Sequence, residues 1–210
     1  MPRRKKLLIF LVLITAILIA SVITIRNLHS FLSPQQPLSN AKILIVDAWL
    51  SDKEIDEAAL EFQKGQYSYI VIPGNQIDRS MFYAGINYSS DLTALRLAYK
   101  RIPLHSIVPL HVDFVKRDRT YQSAITVKNW LTKKGYTTTN LNLFTQSSHA
   151  RRSWLLYKKV FQNNQKVGII SAQPVDYDGK SWWRSSNGFR TVIGETIAYI
   201  YAVMFFHPEM

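Results

Sequence analysis

The feature that most restricts the fold is a repeated pairing: a short unbroken apolar run, then a turn, then a segment whose apolar residues recur at helical spacing. Lys42-Ile43-Leu44-Ile45-Val46-Asp47 is the first such run, and it ends in a carboxylate. A strand with no polar alternation has to be covered on both faces, the condition of a strand inside a parallel sheet. Behind it, Ser51-Asp52-Lys53-Glu54 has the spacing of a capping box, and Ile55, Ala58, Ala59 and Phe62 stripe a helix that Gly65 stops. Tyr69-Ile70-Val71-Ile72 repeats the strand and Pro73-Gly74-Asn75 its turn. A long loop through Tyr88 leads to a helix that starts at Ser89 or Ser90, is striped by Leu92, Leu95 and Tyr99, and ends before Pro103. The third run, about Ser106 to Val112, contains Pro109, which lacks the donor a central strand needs and so belongs at a sheet edge. Asp118 is placed to cap a helix striped by Tyr121, Ala124, Val127 and Leu131 and closed by Gly135. A strand over Asn140 to Phe144 follows, then a helix burying Leu155, with Trp154 and Phe161 as further candidates. Val167 to Ala172 and a closing helix from about Arg190 to Phe206 complete the series.

This alternation predicts an α/β fold: a doubly wound, mainly parallel sheet of about five strands with helices on both faces. The order 3-2-1-4-5 puts the Pro109 strand at the edge. In such sheets ligands bind beyond the strands' C-terminal ends, where the winding reverses between the first and fourth strands. The residues delivered there are Asp47 and Trp49, Gly74 and Asn75, Gln146 to His149 and, less centrally, Asp113 and Thr120.

Ahead of this domain, Leu7 to Ile25 runs 19 residues without a charge, behind Arg3-Arg4-Lys5-Lys6. About 20 apolar residues cross a bilayer core, so this is a predicted transmembrane anchor. A cleaved signal peptide normally has a shorter apolar stretch and a small-x-small site, and no good site lies near Ile25. The basic flank, residues 1–6, should stay cytoplasmic and everything beyond Arg26 outside. Residues 26–41, with Ser33-Pro34-Gln35-Gln36-Pro37, read as a linker, and 42–206 as a Rossmann-like extracytoplasmic domain. The chain has 26 Lys and Arg against 14 Asp and Glu; setting aside Arg3, Arg4, Lys5, Lys6 and Arg26 leaves 21 against 14. On a tethered domain that excess suits a membrane surface, an anionic small molecule or a lipid-linked phosphate better than nucleic acid. With no cysteine, thiol catalysis, disulfides and thiolate metal sites are excluded.

Candidate chemistry concentrates in the turn after the fourth strand. Ser147 or Ser148 can cap the helix that follows, whose start carries partial positive charge. His149 and Arg152, three residues apart, would add two donors on the same face, an arrangement suited to an anion but also found on helices that bind nothing. His149 could transfer a proton or only bind an anion. Asp47 could be a general base, ligate a divalent cation or cap its own loop. Ser147 and Ser148 are nucleophile candidates by position, although capping accounts for them. No Walker loop, G-x-G-x-x-G, H-E-x-x-H or G-x-S-x-G is present, so no cofactor is identified. His105 and His111 lie too far from His149 in the expected order to form a metal site, and His29 and His207 fall outside the cleft. Asp176-Tyr177-Asp178-Gly179 and Trp182-Trp183-Arg184 could stack on a sugar, lie at a membrane interface or pack over the sheet end. Glu195, in the apolar stretch Thr191 to Phe206, needs a partner, for which Arg190 or Arg184 is available. That stretch is too short to span a bilayer and should pack on the sheet.

Thr145-Gln146-Ser147-Ser148-His149-Ala150-Arg151-Arg152, after a strand and behind a membrane anchor, resembles the signature turn of the SanA, ElyC and YdcF family of bacterial envelope proteins. The resemblance covers roughly Ala41 to Phe206; Thr120 stands where the family usually carries a Thr, and Glu195 resembles a Glu of its last helix. The chain departs from the family at Asp47-Ala48-Trp49, in place of a Gly-rich turn, at Pro73-Gly74-Asn75, in place of a Gly pair, at Ser123, where an Asn is usual, and at Asp91, which only roughly matches a Glu. The resemblance implies a Rossmann-like fold in the cell envelope and a phosphate-bearing, lipid-linked cell-wall ligand. Two other classes remain open: a non-catalytic scaffold or barrier protein, and a nucleotide or S-adenosylmethionine binder, against which the Gly-poor first turn counts.

Overall fold

The computed structural model describes residues 3–77, 85–161 and 165–208, the side chains of residues 3–7 excepted. Part of the long loop expected before Tyr88, and the first two residues of the basic flank, lie outside the described residues. Five parallel strands, β1 (Ile43–Val46), β2 (Tyr69–Gly74), β3 (Ile107–His111), β4 (Leu141–Thr145) and β5 (Val167–Ser171), form one sheet in the order β3-β2-β1-β4-β5. Successive side chains of a strand point to opposite faces. Accordingly Ile43 and Ile45 join one core with Leu143 and Ile169, covered by α4 (Arg119–Lys133) and α5 (Ala150–Val160). Leu44 and Val46 join the other with Ile70 and Ile72, covered by α2 (Asp52–Lys64) and α3 (Ser89–Tyr99). Pro109 sits in β3 at the edge, as its missing donor requires. The capping box of α2 forms as expected, with Ser51 accepting from the Glu54 N–H and Glu54 accepting from the Ser51 N–H at 2.8 Å.

Four local readings are corrected. α3 buries Ser90, Thr93 and Leu97, while Leu92, Leu95 and Tyr99 face out. The helix lies over the loop after β1, whose carbonyls need donors: Thr93 Oγ1 donates to Ala48 O at 2.8 Å and Arg96 Nη1 to Leu50 O at 2.8 Å. α5 buries Leu156 and Tyr157 in preference to Leu155, with Phe161 also buried. Asp118 does stand at the N-cap of α4, but with φ of 60° and no side-chain cap bond. Finally, α6 (Ser186–Met204) begins earlier than expected, capped by Ser185, and packs on α5 and α1 instead of on the sheet.

The N-terminal helix α1 (Arg3–Leu32) is long and apolar enough to cross a membrane. It continues past Ile25 through Leu32, so the expected linker is no free spacer. Leu32 is fully buried with Trp182 and Val192. Gln36 then bridges Ile169 in antiparallel sense, and Asn142, a buried polar residue inside β4, clasps Leu38 through both its N–H and its carbonyl. The prolines of this segment prevent helix or ladder, and strand-edge and side-chain partners satisfy its backbone instead.

Candidate functional site

The cleft lies where the expected topology places it, beyond the C-terminal ends of β1, β2 and β4, with a cavity of about 730 Å³. Of the residues singled out in the sequence, Asp47, Trp49, Gly74, Asn75, Thr120, Gln146, His149 and Arg152 line it. Ser147, Ser148 and Asp113 do not.

The two serines fail as caps because the turn after β4 is a single 3₁₀ turn, Ser147–His149, from which α5 continues without any side-chain cap bond. Their hydroxyls are held elsewhere. Ser147 Oγ lies 2.8 Å from His29 Nε2 and 3.1 Å from Ser33 Oγ, both on α1 or just past it, and Ser148 Oγ lies 2.6 Å from the Tyr177 hydroxyl. Both serines are buried, which removes them as nucleophiles for a ligand in the cleft. Gly74 also has a packing role. A Cβ there would fall 2.1 Å from the Ser90 N, so its bareness is what lets α3 start against β2.

His149 and Arg152 do point into one place, but an internal carboxylate is already there. Glu195 of α6 lies with Oε1 2.9 Å from His149 Nδ1, while Arg152 Nε donates to Oε2 at 2.9 Å and Nη2 to Oε1 at 3.1 Å. Arg190 and Arg184 are therefore not its partners. Arg152 Nη2 also approaches His149 Nδ1 at 2.9 Å. Nδ1 is thus engaged from two sides, by a guanidinium that can only donate and by a carboxylate that accepts: protonated it bonds Glu195, unprotonated it bonds Arg152. Either way His149 Nε2 is left as the nitrogen able to exchange a proton, on a ring packed perpendicular to that of Trp49 at 5.1 Å between centroids. Burial alone would raise the Glu195 pKa. The hydrogen bonds and charges of His149 and Arg152 outweigh it and bring the group down to about 2.

Asp47 stands at the end of β1, buried but on the cleft lining, and accepts a hydrogen bond from Thr145 Oγ1. Burial raises its pKa, opposed by the charge of His149, the Thr145 bond and the charge of Arg152. It is thus a carboxyl biased toward its neutral form beside a histidine and an arginine. The cleft is also lined by Lys116 and Arg117, which precede α4, and by Arg119, its first residue, all exposed. Among the described residues Lys116 and Arg119 have no carboxylate within ion-pair distance, and Arg117 reaches only its neighbour Asp118, at 4.0 Å. The sequence reading missed these cations, although their spacing around the Asp118 cap was visible. No group of three His, Asp or Glu residues able to hold a metal occurs among the described residues. His111 Nε2 instead donates to Asp91 at 2.9 Å, and its ring stacks on Tyr88.

The arrangement can hold an anion between the Lys116–Arg119 segment and His149, and can exchange a proton with it at Nε2. The wall formed by Leu156, Ala198, Tyr201 and Phe206 adds an apolar flank. No protein-family model and no curated protein matches the chain, so the cleft stands on its own geometry.

Proposed function

We propose that this is a single-pass protein of the cytoplasmic membrane, of the SanA, ElyC and YdcF type, whose extracytoplasmic domain binds or processes a phosphate-bearing ligand and so contributes to envelope integrity. The observation that carries the reading is that one cleft is lined both by Lys116 and Arg119, which among the described residues have no carboxylate within ion-pair distance, and by a His149 oriented by Glu195. Cations without partners favour a dianionic oxygen cluster, and a histidine with a carboxylate behind its Nδ1 is positioned to protonate a leaving oxygen. Arg152 supports the site indirectly, because its fork is directed at Glu195. The apolar flank of Tyr201 and Phe206 accommodates a lipid-linked as readily as a free phosphate. A scaffold role has one observation in its favour, the internal pairing of Glu195 with His149 and Arg152.

The test is mass spectrometry of what copurifies with the full chain in mild detergent, followed by calorimetric titration with inorganic pyrophosphate. A phosphorus-containing ligand in the wild type, and at least tenfold weaker pyrophosphate binding in the Lys116→Ala/Arg119→Ala double variant, would support the reading. Unchanged affinity in that variant would refute it. His149→Gln then separates the roles, since Gln can donate a hydrogen bond but cannot transfer a proton.

A further inference from the structure

Where α1 meets the domain, an apolar groove of about 460 Å³ opens between Val22 and Ile25 of the helix and Trp182, Trp183, Phe189 and Ile193 of the domain, and among the described residues Arg26 is the one charged residue on its wall. The groove is built, not incidental. Trp182 is buried and donates from Nε1 to the Ile25 carbonyl at 3.1 Å, and Trp183 and Phe189 pack around its ring at 5.8 and 6.1 Å. Trp183, Phe189 and Ile25 nonetheless remain more than a third exposed, a contiguous apolar face of the kind that soluble surfaces avoid.

Its depth says what covers it. The uncharged stretch from Leu7 to Ile25 is about 28 Å long at about 1.5 Å per residue, close to the roughly 30 Å of a bilayer's hydrocarbon core. If α1 spans, Val22 and Ile25 lie in the last turn inside the hydrocarbon and Arg26 lies among the headgroups. Tryptophans beside such a boundary occupy the level they favour in membrane proteins. Among the described residues Arg26 has no carboxylate within ion-pair distance, so its charge is available to a phosphate.

We propose that this groove is a phospholipid seat: the first part of one acyl chain lies between α1 and Trp183, Phe189 and Ile193, and the lipid phosphate is held by Arg26. The seat locks the domain to the bilayer at a fixed height and orientation. It is separate from the strand-end cleft and shares no residue with it. The inference rests on the membrane-spanning reading of α1, not on the ligand of the cleft.

The experiment takes the full chain in nanodiscs of equal parts phosphatidylglycerol and phosphatidylethanolamine and releases it into native mass spectrometry. Wild type should retain one phospholipid. Ile193→Trp, which fills the groove, should lower the lipid-bearing fraction at least tenfold, and Arg26→Gln should lower it several-fold, with thermal melts unchanged. Should Ile193→Trp not fold, Val22→Trp fills the groove from the helix side. Lipid retained at wild-type level in the filled variant, wild type released bare, or lipid-free dimers joined through this face would each overturn the seat. Sodium carbonate extraction of membranes distinguishes the two premises. Protein in the supernatant refutes the span itself, whereas protein in the pellet that carries no lipid refutes the groove alone.

Discussion

Glu195→Gln is the perturbation that most directly probes the site, because it keeps the shape of the side chain and removes only the charge. In the folded chain the Glu195 pKa falls from 4.5 to about 2, against the effect of burial, because His149 and Arg152 surround the carboxylate. Its side chain is 19 % exposed, so solvent screens the pair only in part. At about 1.4 kcal/mol per pKa unit, the depression corresponds to about 3 kcal/mol of stability at neutral pH. This agrees with the roughly 3–5 kcal/mol lost when one partner of a buried pair is removed. The sign follows from the depressed value: the contribution is fully present above pH 4.5 and is lost as pH falls from there toward 2. Denaturant titration of the full chain in detergent, followed by tryptophan fluorescence, should therefore show the variant about 3 kcal/mol less stable at pH 7. The gap should narrow progressively below pH 4.5. A variant within about 0.5 kcal/mol of wild type at pH 7, the range of an ordinary surface change, would refute the coupling of α6 to the turn through this carboxylate. So would a gap that does not depend on pH.

Asp47→Asn should behave oppositely: because burial raises the carboxyl's pKa, its ionised form destabilises the wild type, so paired melts should show no advantage of the variant below about pH 3.8 and a growing one as pH rises above it. Arg152→Lys should lower stability by about 1–2 kcal/mol in thermal or denaturant unfolding, because an ammonium cannot reproduce the two-point contact with Glu195. Ser147→Ala leaves the buried His29 without its 2.8 Å partner and should cost about 1–3 kcal/mol, read as faster hydrogen exchange where α1 meets the turn. Gly74→Ala should destabilise by about 1–3 kcal/mol in a denaturant titration, as the added methyl meets the backbone of Ser90.

The layered fold was legible because its signals are local. A run such as Ile43–Val46 admits only a strand covered on both faces, Ser51 and Glu54 satisfy each other's amides within one turn, and Pro109 lacks a donor wherever the chain goes. These local facts, with the preference for short right-handed connections, leave few sheet orders to choose from, and the strand-end cleft follows from the order. The outward stripe of α3 is not legible locally, for the complementary reason. Leu92, Leu95 and Tyr99 look like a core face until the carbonyls of Ala48 and Leu50 claim the other side for Thr93 and Arg96.

The meaning of the polar residues in the turn, by contrast, was decided by partners distant in sequence. Ser147 is bound by His29 from 118 positions away, and His149 and Arg152 by Glu195 from 46 and 43. A sequence shows how many donors a turn offers but not which carboxylate or hydroxyl will fold back to meet them. Hydrogen bonds to remote groups depend on a fit of about 3 Å that only packed helices can set. The same holds for Leu32 and the segment after it. Its prolines announce an irregular backbone, but only the exposed edge of β5 and the side chain of Asn142 turn it from a tether into part of the domain.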